Sequence, residues 1–63
     1  MTSLPRPEEA VRLSTVLQEH LRWSAFWDKR YRVWRVSEDD PDSDLYEESG
    51  DVDQVISYVM THS

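Results

Sequence analysis

The chain contains no cysteine. A 63-residue domain has little room for a core, and small domains often add disulfides or a structural metal. Without Cys there is no disulfide framework and no thiolate zinc site. Its single glycine is Gly50, and it has no asparagine, so nothing in the first half favours a tight primed hairpin turn. No stretch approaches the roughly 20 apolar residues that cross a bilayer. Met1–Pro7 has no apolar run of the signal-peptide kind. Together these absences lead to the expectation of a cytoplasmic protein with no membrane segment.

A further absence is local. Residues 37–63 have nine acids and no Lys or Arg, whereas residues 1–36 have all seven basic residues and four acids. The halves carry −9 and +3, which sum to the net −6. They should attract one another, and the acids also keep the chain soluble. A sharper reading is an acidic surface aimed at a basic partner.

What is present organises into five elements. Residues 1–6 are expected to be flexible, because each residue before Pro5 and Pro7 is pushed out of helical geometry. Residues 7–63 then form one α+β domain. Pro7 suits a first helical position, and Glu8 and Glu9 complement the helix N-terminus, although Arg6 is a poor cap. Leu13, Val16, Leu17, His20 and Leu21 share one face of a helix over 7–21.

Residues 23–36 are rich in aromatic and β-branched side chains around a polar Asp28-Lys29-Arg30 triplet, which predicts a β-hairpin. A three-residue loop there would pair Trp27 with Tyr31, Ala25 with Val33 and Trp23 with Arg35. Trp23, Trp27 and Tyr31 would then point inward. Phe26, Arg32 and Trp34 would point outward, joined by Tyr46. Residues 37–44 read as a solvated loop. Leu45–Glu48 reads as a third strand, its acids within cross-strand reach of strand-two arginines. Asp51 should cap a second helix with Gln54 as its capping-box partner. Val52, Val55, Ile56, Val59 and Met60 are spaced for the apolar face of that helix. The expected fold is α+β, ordered α-β-β-β-α, with two helices packed on one face of a three-stranded antiparallel sheet.

This order and size resemble the double-stranded RNA-binding domain. The resemblance covers most of the chain as topology and implies a nucleic-acid-binding module. That family opens its second helix with a lysine cluster that grips phosphates. Here the matching stretch is Gly50-Asp51-Val52-Asp53-Gln54-Val55, which is acidic and repels phosphate.

Catalytic chemistry has little to build on. His20 lies on the apolar stripe and His62 near the chain end, and the many carboxylates lack a cleft that would separate their environments. No catalytic residue and no cofactor is expected. Asp40, Asp42 and Asp44 alternate like calcium-loop ligands, but the sixth position is Leu45 and the twelfth Asp51, so no metal is expected either. The pattern favours a small, non-catalytic module that binds a protein partner through Phe26, Arg32, Trp34 and Tyr46. The rival reading is an acidic nucleic-acid mimic that offers Asp39, Asp40, Asp42 and Asp44 to a basic protein. Nucleic-acid binding is disfavoured by the acids beside the arginines. A monomer and a homodimer are both compatible with an open sheet face.

Overall fold

The computed structural model describes residues 4–62, so the segment expected to be flexible lies partly outside the described residues. The elements are α1 (Pro7–Gln18), β1 (Trp23–Asp28), β2 (Val33–Glu38), β3 (Tyr46–Ser49) and α2 (Val52–Thr61). The strands form one antiparallel sheet in the order β1-β2-β3. Both helices lie on one face of it, which gives the α+β arrangement that hydrophobic spacing predicts.

Local chemistry explains the helix starts. Pro7 stands in the first turn of α1, and Glu9 reaches back to accept the Arg6 backbone N–H at 3.3 Å. That contact satisfies a donor that Arg6 cannot satisfy itself. Asp51 caps α2 by accepting the Asp53 N–H at 3.0 Å. Gln54 does not close the box; its Oε1 accepts from the Ser49 hydroxyl at 3.3 Å and fastens the helix start to the end of β3.

The core consists of Leu13, Trp23, Trp34, Val36, Val52, Val55, Ile56 and Val59. Helix α2 supplies half of it, and packs across β2 and β3. Leu13 is the buried residue of α1, which leans against α2. Helix α1 ends at Gln18, short of the expected Leu21. The chain reverses there, because the Trp23 N–H must meet the His20 carbonyl at 3.1 Å as β1 begins. Leu21 is consequently thrown into solvent, as is Met60 at the far edge of the α2 stripe. Among the described residues, no helix is long and apolar enough to cross a membrane.

The hairpin corrects the expected register. Its loop is Lys29–Arg32, and the pairs are Trp27↔Trp34, Ala25↔Val36 and Trp23↔Glu38. Asp28 builds the turn: its carboxylate accepts the N–H groups of Arg30 at 3.0 Å and Tyr31 at 3.3 Å, and its carbonyl accepts that of Arg32 at 2.7 Å. Arg32 takes the left-handed position at φ 57° that a glycine would usually fill. Relative to the expected pairing, β2 slides by three residues. An odd slide exchanges the faces of a strand. Trp34 and Val36 therefore go under the helices and Arg35 goes out. The alternative would bury a guanidinium and expose two apolar side chains, at a large desolvation cost.

Candidate functional site

The face of the sheet turned away from the helices is the candidate site. Strand alternation places Phe26, Arg35 and Glu48 in one cross-strand row, and Ser24, Ser37 and Tyr46 in the next. Arg35 is central. Its Nε donates to Asp28 Oδ2 at 3.0 Å and its Nη1 meets Glu48 Oε2 at 2.9 Å. Nη1 also donates to the Tyr46 hydroxyl, and the guanidinium lies over the Tyr31 ring, 5.7 Å from its centroid.

This network shifts both ends of the Asp28–Arg35 pair. Loss of hydration works to raise the Asp28 carboxyl, but hydrogen bonds from the Tyr31 and Arg30 N–H groups and from Arg35 outweigh it and hold it below its ordinary value. Loss of hydration likewise works to lower Arg35, and the bonds to Tyr46 and Asp28 with the Glu48 charge raise it instead. Arg35 is thus a cation held in place through Nε and Nη1.

Three aromatic side chains surround it in solvent: Phe26 is 60 % exposed, Tyr31 62 % and Tyr46 45 %. Of the four residues expected to bind a partner, Phe26 and Tyr46 lie on this face. Arg32 is exposed in the hairpin loop rather than on a strand. Trp34 is corrected: it is 6 % exposed, and it packs edge-on against Trp27 with ring centroids 5.3 Å apart. Its indole N–H is buried with no hydrogen-bond partner. Tyr31, expected inside, belongs to the exposed loop.

Arg35 and Asp28 are not among the site residues expected from the sequence, and one signal in it marks Arg35. In Trp34-Arg35-Val36-Ser37 the apolar and polar residues alternate. That alternation names the inner pair without any assumption about the loop.

The acidic loop is partly neutralised from within. Arg22 Nη2 pairs with Asp40 at 3.1 Å, and its Nε lies 4.0 Å from Glu38. The Ser24 hydroxyl donates to Asp39, and the Arg22 carbonyl accepts the Asp39 N–H. Arg12 pairs with Asp53. The basic and acidic halves of the chain therefore meet through Arg12, Arg22 and Arg35. Asp42 and Asp44 lie outside these ion pairs. Among the described residues, no group of three or more His, Asp or Glu is placed to hold a metal ion.

In comparisons with known proteins, no protein-family model, no curated protein and no solved structure matches this chain.

Proposed function

We propose that this chain is a small, non-catalytic binding module that docks a protein partner on its outer sheet face. The observation that carries the reading is the ring of Phe26, Tyr31 and Tyr46 in solvent around the immobilised Arg35. Aromatic side chains beside an arginine are the composition of energetically dominant contacts between proteins. Their low conformational freedom favours association, since Arg35 is already ordered before a partner arrives. A polypeptide fits better than a nucleic acid, because Asp28 and Glu48 already occupy the guanidinium that a phosphate would need.

The rival reading, an acidic mimic of nucleic acid, has less support. Asp39 and Asp40 are engaged with Ser24 and Arg22, which leaves Asp42 and Asp44 as the loop's unpaired acids.

A pull-down with wild type, Phe26→Ala/Tyr46→Ala and Asp42→Asn/Asp44→Asn, at low and moderate salt, separates the two. A protein held by wild type at moderate salt and lost by the aromatic variant, with its melting temperature preserved, supports sheet-face docking. A protein kept by the aromatic variant but released by salt or by the acid variant overturns it in favour of the mimic.

A further inference from the structure

Away from the outer face, at the end of the molecule where both helices finish, lies an open cleft of about 310 Å³. Trp23 and Glu38, a cross-strand pair on the inner face, contribute to its lining. His20 and Leu21 border it from the end of α1 and His62 from the end of α2. The His62 ring lies against Tyr58, centroids 4.1 Å apart, and Tyr58 in turn meets Trp23 edge-on at 5.9 Å.

The electrostatics of this cleft lean negative: two carboxylates, Glu19 and Glu38, face one cation, Arg22, with the imidazoles of His20 and His62 beside them. Helix C-termini carry partial negative charge on their unpaired carbonyls. Both helices end here, and neither has a basic residue in its last turn. Glu19 and Glu38 add two carboxylates. The Glu38 side chain is only 13 % exposed, and its ion-pair partner, the Arg22 Nε, stands at the long distance of 4.0 Å. Arg22 itself is held more closely by Asp40, at 3.1 Å. Glu38 is therefore a largely desolvated carboxylate that is only loosely neutralised.

We infer that this cleft binds a small organic cation, an alkylammonium or alkylguanidinium group. The charged head bonds to Glu38 while the apolar stem lies along Leu21 and Trp23. Arg22 stays on Asp40 and yields Glu38 to the ligand. The carboxylates and the helix C-termini favour a cation, and the apolar edge formed by Leu21 and Trp23 favours one that carries an alkyl stem.

The test is a titration of the ¹⁵N-labelled full chain with butylguanidinium and butylammonium, using pentanoate at equal ionic strength as the anionic counterpart. Saturable shifts centred on His20, Leu21, Trp23 and Glu38 are expected with the cations and not with pentanoate. Glu38→Gln should weaken binding roughly tenfold, as loss of a charge-assisted hydrogen bond does. Arg22→Gln should strengthen it, because the competing cation is gone; a merely structural role for Arg22 would not have that sign. Glu19→Gln, on the exposed rim, gives a second reading of the carboxylate contribution should Glu38→Gln fail to fold, and there too weaker binding is expected. Equal response to pentanoate, shifts confined to Asp42 and Asp44, or unchanged affinity in the folded Glu variants would overturn the inference. None of these outcomes bears on the outer sheet face, which lies on the other side of the sheet.

Discussion

Replacing Trp34 gives the sharpest test of the observed register. Its indole is 6 % exposed and packed on Trp27, within the cluster that includes Val36 and Val55. Truncating a buried Trp to Ala costs about 3–5 kcal/mol. A chain of 63 residues has a total stability of only about 3–9 kcal/mol, at roughly 0.05–0.15 kcal/mol per residue. Trp34→Ala should therefore lose at least about a third of the total stability, with a fall in melting temperature of at least about 12 °C at roughly 4 °C or more per kcal/mol.

Trp34→Phe should behave differently. The smaller ring forfeits on the order of 1–3 kcal/mol of packing. It also removes the buried N–H that has no partner, a group whose isolation costs about 1–3 kcal/mol. The two effects nearly cancel, so this variant should stay within about 1 kcal/mol of wild type. Phe26→Ala, on the open face, should stay within about 0.5 kcal/mol. Urea denaturation followed by circular dichroism measures all three. A Trp34→Ala protein as stable as Phe26→Ala would refute the register. A Trp34→Phe protein as damaged as Trp34→Ala would refute the isolated N–H.

Two further predictions concern the hairpin turn. The Asp28 carboxyl is held below its ordinary value of 3.8, so its ionised form stabilises the fold fully above that value, and the contribution disappears as pH falls through the lower folded-state value. Asp28→Asn should therefore be less stable than wild type at neutral pH and should show a shallower loss of stability on acidification; parallel pH profiles would refute this role. Arg32 at φ 57° bears the steric cost of the left-handed region, so Arg32→Gly should raise stability by about 0.5–1 kcal/mol, and a lower urea midpoint would show the arginine side chain to be holding the turn.

The features that were legible in the sequence are local ones. Leu13 to Leu17 and Val52 to Val59 reveal their buried faces through helical spacing, and Pro7, Glu9 and Asp51 mark helix starts because capping acts within a single turn. The order of elements follows from those signals. Strand register is not local in that sense. It depends on how many residues the Asp28 turn absorbs, and the chain has no Asn or Gly there to announce the count. The turn moves from the expected 28–30 to Lys29–Arg32, with Arg32 in a left-handed conformation, and the resulting three-residue slide changes which face of β2 is wet. Tertiary packing made that choice: Trp34 and Val36 find an apolar surface under α2, while Arg35 finds Asp28, Glu48 and Tyr46 only on the outside. The cleft between the helix ends has the same origin. It exists because α1 stops at Gln18 so that Trp23 can enter the sheet opposite Glu38, a juxtaposition of residues 15 positions apart that the fold alone brings about.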